Sequence, residues 1–301
     1  MKISAVISVY NEEKRIAACL ESVKFADEIV VVNNSSTDKT EEVARKYTEK
    51  VFRQENNPLY IDLLKNLGFE KATGDWILSL DADETVSKEL AEEIREVIIN
   101  SDKDAYYIPR KNIIFGKWIE HTGWYPDNQL RLFKKGAGKY ITKHVHEQVN
   151  IEGEKGYLQN HIVHDNYSSI KDFLQKTVFM YAPNEAENML ERGYKFSRMD
   201  AIRFPINEFL SRFFAREGYK DGLHGLVLSM LMAFYHFLIF AYIWEKKDFV
   251  QESPKYFLEE TEDEIKKVNK DIMFWFYNEK MKSITNPINR NLQRVLKKVP
   301  H

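Results

Sequence analysis

Two regimes of apolar and polar patterning divide this chain. Over the first 110 residues, Ile3–Val9, Glu28–Val32, Val51–Arg53, Trp76–Leu80 and Ala105–Ile108 are short runs rich in β-branched residues, with the length and composition of strands. Between them Ile16, Leu20 and Val23, and later Leu90, Ile94, Val97 and Ile98, recur at the spacing that lines one face of a helix. Strands alternating with helices predict βαβ units, so the first regime is α/β with a mainly parallel central sheet. From about 110 to 170 the sequence turns irregular and rich in Gly, His and aromatic residues, which suits a binding edge built from loops and short strands. Beyond 170 the pattern is helical. Residues 226–244 contain no Asp, Glu, Lys or Arg.

Composition narrows the class. The 301 residues carry 44 Lys and Arg against 46 Asp and Glu, a formal charge of −2, without the basic surplus of a dedicated nucleic-acid binder. With 44% hydrophobic and 30% charged residues the chain is expected to fold rather than remain disordered. Cys19 is the only cysteine, so no intrachain disulfide forms and no oxidising compartment is required. The start, Met1 to Val9, leads straight into Asn11-Glu12-Glu13-Lys14-Arg15 and lacks the h-region of a secretory leader. It reads as the first strand, and a cytoplasmic location is the default expectation.

Polar clusters follow three of the strands: Tyr10-Asn11-Glu12, Asn33-Asn34-Ser35-Ser36-Thr37-Asp38 and Asp81-Ala82-Asp83-Glu84. In open α/β sheets ligands bind beyond the carboxyl ends of strands, so these clusters are expected to share a crevice. Asp81 and Asp83, two apart in a turn, can share one hard divalent cation such as Mg²⁺ or Mn²⁺. Such an ion bridges a diphosphate and neutralises charge growing on it as a bond to its terminal oxygen breaks. The competing reading has Asp83 and Glu84 merely complementing the positive end of a helix that begins near Ser87.

The three segments, quoted from Ser8 to Glu13, Val30 to Thr40 and Gly74 to Glu84, resemble the family 2 glycosyltransferases in order and spacing. The resemblance implies a GT-A fold, Rossmann-like with a mainly parallel sheet, a nucleotide-sugar donor and inversion at the anomeric carbon. It places Tyr10, Asn11 and Glu12 against the nucleoside. Asn33 stands where the family commonly has an Asp that hydrogen-bonds uracil; an amide still offers a donor and an acceptor, but the charge is gone. Lys65, with Asn66, matches a basic-Asn pair on the helix before the metal strand, from which Lys65 approaches phosphate unless it is simply a solvated helix lysine. No Gly-x-Gly-x-x-Gly follows the first strand, which disfavours a Rossmann dehydrogenase.

Trp124-Tyr125-Pro126-Asp127, Arg131-Leu132-Phe133, Val145-His146-Glu147 and His161-Ile162-Val163-His164 are similar to segments of the glucosyltransferases that add a β-1,4 sugar to the lipopolysaccharide inner core. Inverting transfer needs a carboxylate to take the acceptor's proton. The subgroup's His-Glu pair makes Glu147 the first choice, against an ordinary surface pairing with Lys143 or His146, and Asp127 the second. Five of the eight histidines fall at 121, 144, 146, 161 and 164. His164, after an apolar stretch, is favoured to complete a metal shell with Asp81 and Asp83, with His146 next; a zinc site is disfavoured because no Cys or His-Glu-x-x-His pattern supports it. Arg131 is read either as a clamp for an anionic acceptor group or as half of a strand ion pair.

Residues 226–244 are long enough to cross a bilayer, but a lone span would strand whatever follows it, so a core, dimer or in-plane interfacial helix is the preferred reading. Residues 281–301 carry Lys282, Arg290, Arg294, Lys297 and Lys298 and no acid, with Ile288, Leu292, Val295, Leu296 and Val299 at helical spacing. Such a basic amphipathic segment rests on anionic lipid or packs on its own domain. The expected organisation is a catalytic domain over 1–215, with a nucleotide-sugar half over 1–110 and an acceptor half over 111–215, and a helical region over 216–301 that associates with a membrane or dimerises. The expected activity is transfer of a hexose, glucose first, from a UDP-sugar to a hydroxyl of a bacterial envelope glycan or glycolipid at the inner face of the cell membrane. Transfer to a polyprenyl phosphate, or non-catalytic binding of a nucleotide sugar or glycan, are the alternatives.

Overall fold

A computed structural model describes residues 1–57, 62–141, 149–251 and 253–283. The chain divides into two compact units, residues 1–120 with 124–169, and residues 121–123 with 170–301. Helices between 170 and 215 therefore belong with those after 216, whereas the sequence pattern suggested a divide near 215.

The first unit holds strands β1 (Ile3–Val9), β2 (Glu28–Asn33), β3 (Val51–Arg53), β4 (Trp76–Asp81), β5 (Glu84–Val86), β6 (Ala105–Ile114), β7 (Lys117–Trp118), β8 (Asp127–Lys134), β9 (Gly138–Lys139), β10 (Asn150–Ile151), β11 (Lys155–Tyr157) and β12 (Ile162–Tyr167). Its helices are α1 (Ile16–Ser22), α2 (Thr40–Ala44), α3 (Lys65–Lys71) and α4 (Lys88–Ile99). All five strands read from the sequence are present.

The main sheet runs β3-β2-β1-β4-β8-β6-β12-β5, with β7 and β11 also on β6; β9 and β10 pair separately. From β3 to β4 every pairing is parallel, as is that of β6 with β12, while β8 enters antiparallel between β4 and β6. This is the α/β arrangement of a GT-A fold. Every residue of β1 is buried, because a parallel strand flanked on both edges and covered on both faces sees no water. The hydroxyl of Ser4 is satisfied by Glu28 and the Gly74 amide, and that of Ser8 by Asn34. Register sets Val9 beside Asn33 and Ser8 beside Asp81, so the three polar clusters leave the sheet at one edge.

Helix α3 lies against β1 and β2 through Gly68. A Cβ there would stand 2.3 Å from Val6 Cγ1 and 2.9 Å from Val32 Cγ2, so only glycine allows this approach. Helix α4 starts where Ser87 Oγ accepts the Leu90 amide, with Leu90, Ile94 and Ile98 inward.

The second unit is helical: α5 (Ile170–Lys176), α6 (Ala182–Glu191), α7 (Asp200–Leu210), α8 (Leu223–Lys246) and α9 (Pro254–Ser283). Five-residue π-helical turns follow α5 and α7. Ala182 and Ala186 of α6 pack on Ile239 and Ile243 of α8. Arg203 of α7 holds Glu264 of α9 through two bonds of 2.6 and 2.7 Å. Among the described residues α8 is the one helix long and apolar enough to cross a membrane, and it is partly buried within the protein. Of the basic tail, residues 284–301 lie outside the described residues.

Gly68→Ala is expected to lower stability by about 1–3 kcal/mol, the usual penalty for forcing a methyl into a packed interface. The urea midpoint of the variant measures it; an unchanged midpoint would show that α3 does not need its close approach to β1.

Candidate active site

The acidic turn is built by strand register. β4 ends at Asp81, the chain turns through Ala82 and Asp83, and β5 starts at Glu84 by pairing antiparallel with β12, which puts Glu84 opposite His164. Asp165 donates its amide to the Asp83 carbonyl at 3.0 Å. On the other edge of β12, parallel pairing with β6 sets His164 opposite Asn112, and on β6's far edge Arg110 stands opposite Asp127 of β8. Five strands thus deliver their polar side chains to one place.

Beneath the turn the charges alternate. Asp81 Oδ1 lies 2.7 Å from Lys65 Nζ, while Oδ2 meets Arg131 Nη2. Arg131 Nη2 also donates to Glu84 Oε1 at 2.7 Å, and Arg110 Nη1 reaches the same oxygen at 3.2 Å. Arg110 Nε donates in turn to Asp127 at 2.8 Å. Lys65 is 3% exposed, Arg131 4% and Glu84 0%. Burial alone would raise the Asp81 carboxyl, but Arg131 and Lys65 outweigh it and hold it well below the carboxylate range. Burial likewise opposes charge on Lys65 and Arg131, and the facing carboxylates keep both firmly protonated.

These pairs correct several expectations. Lys65 is not a solvated helix lysine; it is held between Asp81 and Asp62, 3.0 Å away, with its ammonium over the Tyr140 ring. Arg131 is a buried strand ion pair rather than an acceptor clamp, because Asp81 and Glu84, two of the turn's three carboxylates, face it. Glu84 complements no helix end: its Oε2 accepts the Asp81 amide at 3.0 Å, and β5 separates it from α4. Asp127 is no free carboxylate; against the effect of burial, Arg110 together with Gln129 and Asn112 holds its carboxyl below the usual range.

The second acid of the turn is placed differently. Asp83 Oδ2 lies 3.5 Å from His164 Nε2 and 3.6 Å from Arg15 Nη1. The Asn112 amide N donates to the Trp124 carbonyl at 2.8 Å and to Asp127 at 3.2 Å, so its Oδ1 faces His164 Nδ1, 2.7 Å away, as acceptor. His164 therefore carries its proton on Nδ1 when neutral, and the Nε2 lone pair faces Asp83. The expected three-residue metal set is not assembled: no cluster of three or more His, Cys, Asp or Glu suited to a metal occurs among the described residues. Asp81 is turned to its two cations, leaving Asp83 and His164 as the pair.

Of the nucleoside-side residues, Tyr10 is exposed at the end of β1. Asn11 adopts a left-handed conformation, φ 53°, and joins the two loops: its amide donates to Ser36 Oγ and its Oδ1 accepts the Thr37 amide at 2.8 Å. Glu12 sits 3.1 Å from Arg15. Asn33 is buried; its Nδ2 donates to Glu41 Oε2 at 2.7 Å and its Oδ1 accepts the Ser36 amide at 2.9 Å. An aspartate at 33 would face Glu41 with like charge, so the amide here goes with a carboxylate supplied from α2. Glu147 and His146 lie outside the described residues.

Arg110, Asn112 and Arg15 were not singled out from the sequence. The first two carried a legible signal: polar residues two apart on a strand that buries Ala105, Ile108 and Ile114 must share a face.

Asp81→Asn leaves two buried cations short of a partner and is expected to cost about 3 kcal/mol. Because the folded Asp81 titrates below its unfolded value of about 3.9, the stability it contributes is complete above that pH and lost as pH falls through the folded value. Urea midpoints of wild type and variant should differ by a constant amount near neutrality and converge in acid; equal midpoints at pH 7 would show that the clamp contributes nothing.

Comparison with known proteins identifies the family of this chain. The family model for Glycosyl transferase family 2 matches residues 4–158, a span that contains the clamped turn. An uncharacterized glycosyltransferase of Rickettsia typhi is 32% identical over 259 residues, covering 81% of this chain and 87% of its own. The lipopolysaccharide core biosynthesis glycosyltransferase LpsC of Rhizobium meliloti is 28% identical over 257 residues, covering 82% and 93%. Among solved structures, Staphylococcus aureus TarS 1–349 in complex with UDP-GlcNAc is similar with a TM-score of 0.44 at 17% identity, covering 84% of this chain and 93% of that one. With a family model over half its length and a relative above 30% identity along most of both chains, the protein belongs to glycosyl transferase family 2 and is a glycosyltransferase.

Proposed function

We propose that this enzyme transfers a hexose, glucose first, from a UDP-sugar to a hydroxyl of a bacterial envelope glycan of the lipopolysaccharide-core type, with inversion. The observation that carries the reading is the Asp83–His164 pair, set beside a turn whose other acids are locked into ion pairs. One carboxylate and one imidazole lone pair, aimed by Asn112, are a donor set for Mg²⁺ or Mn²⁺, which commonly takes one or two protein ligands and completes its shell with water and substrate phosphate. Bound there, the ion would supply Lewis-acid neutralisation of the departing diphosphate. The name of the LpsC relative and the subgroup motifs support the envelope-glycan acceptor.

In the transfer the acceptor oxygen bonds to the anomeric carbon as the bond from that carbon to the diphosphate breaks on the opposite face. The acceptor's proton passes to a carboxylate. Glu147 is assigned that role, because Asp127 is committed to Arg110 and a depressed carboxyl is a poor proton acceptor. Tyr10, exposed just after β1, is assigned to stack its ring on the base, while Asn11 and Glu12 tie together the loops beside it.

Thermal shift with UDP-glucose and other nucleotide sugars, each with Mg²⁺ or Mn²⁺, tests the donor. A metal-dependent rise with a UDP-sugar is expected for wild type and its loss in Asp83→Ala; an equal rise in Asp83→Ala would remove Asp83 from the metal site. Glu147→Gln should bind donor as wild type does and lose at least about 100-fold in turnover on a lipopolysaccharide-core acceptor. Near-normal turnover would place the base elsewhere, with Asp127→Asn as the next variant.

A further inference from the structure

Helix α8 is apolar on most sides, yet among the described residues only one face of it is covered. Gly225, Leu228, Ser229, Met232, Ala233, Ile239, Phe240 and Ile243 are buried. The opposite face exposes Leu223, Leu226, Met230, Phe234, Phe237 and Trp244, each between 38% and 73% exposed. A helix surrounded by apolar residues is ordinarily buried on all sides. Here six large side chains form an uncharged line from Leu223 to Trp244, closed at its far end by Glu245, Lys246 and Lys247.

The spacing of that line selects its occupant. Leu223, Met230, Phe237 and Trp244 recur at intervals of seven, with Leu226, Phe234 and Ala241 between them. A narrow seven-residue stripe is the pattern by which one helix packs along another at a shallow angle. A bilayer surface imposes no such period.

The stripe is also self-complementary. About its midpoint between Ala233 and Phe234, position 223 maps onto 244, 230 onto 237 and 226 onto 241. Two copies laid antiparallel therefore set Leu223 against Trp244, Met230 against Phe237 and Leu226 against the small Ala241, with Phe234 near the dyad. This is the isologous contact a twofold dimer requires. The exposed parts of these side chains amount to roughly 600 Å² per copy, or about 1,200 Å² between two, the lower limit for a stable interface.

We propose that the exposed face of α8 is a dimer interface, formed by antiparallel packing against α8 of a second copy of this chain. The proposal is independent of the donor and acceptor assigned above.

Sedimentation equilibrium of the full chain across micromolar concentrations should give twice the 35.6 kDa chain mass. Met230→Glu and Phe237→Glu, on an exposed face, should keep the wild-type circular dichroism and weaken association by about 30-fold or more. Because the native Cys19 is buried, mild oxidation reports engineered thiols cleanly. Phe234→Cys should give a covalent dimer, and a mixture of Leu223→Cys and Trp244→Cys should cross-link to each other while neither links to itself. A monomer at every concentration would overturn the proposal, as would self-linking of Leu223→Cys. It would also fail if the wild-type chain stayed monomeric and floated with vesicles containing anionic lipid, or if deletion of 284–301 were needed to expose the face and allow dimers.

Discussion

Asp62, Lys65, Asp81, Arg131, Glu84, Arg110 and Asp127 alternate in sign along an unbroken line of ion pairs beneath the acidic turn. Taking such charges out of water is costly, and the cost is offset only when each finds opposite charge at close range with good geometry. Every member of the line therefore constrains its neighbours. Removing an internal member leaves two partners exposed to an uncompensated field, so the line behaves as a single element. It ties α3 to β4, β5, β8 and β6, the strands that carry the acidic turn and its partners.

This constraint divides labour within the acidic motif. Asp81 and Glu84 are spent on structure: their oxygens face cations and a backbone amide. Asp83 sits between Arg15 and His164 at the side of the line; its carbonyl accepts the Asp165 amide, and its imidazole neighbour is oriented by Asn112. The same contrast separates the two candidate bases, since Asp127 terminates the line and is held ionised by Arg110.

The helical unit shows a second economy. Its helices are fastened by arginine–glutamate pairs such as Arg203 with Glu264 and Arg198 with Glu260 and by aromatic clusters around Phe214, so α8 needs only one face for its own fold. Its other face is uncharged along three heptads, a surface that solvent alone does not favour.

The α/β character, the five strands of the first 110 residues, the three polar clusters and the family were legible in the sequence, because period-2 and period-3.6 patterning and motif order are local properties of the chain. So was the apolar length of residues 226–244. Which acid does what was not legible, for Asp81 and Asp83 differ only in what the sheet brings to them: Lys65 and Arg131 from α3 and β8 for one, His164 from β12 for the other. Arg110 and Asn112 look like ordinary polar residues until strand register sets them opposite Asp127 and His164. The divide near 169 and the one-sided burial of α8 likewise depend on which helices pack together. Pairings between residues on different strands and helices, Lys65 with Asp81, Arg131 with Glu84 and Asp83 with His164 among them, decide the electrostatics of this site, and only the folded sheet, whose register is chosen by the whole core, specifies them.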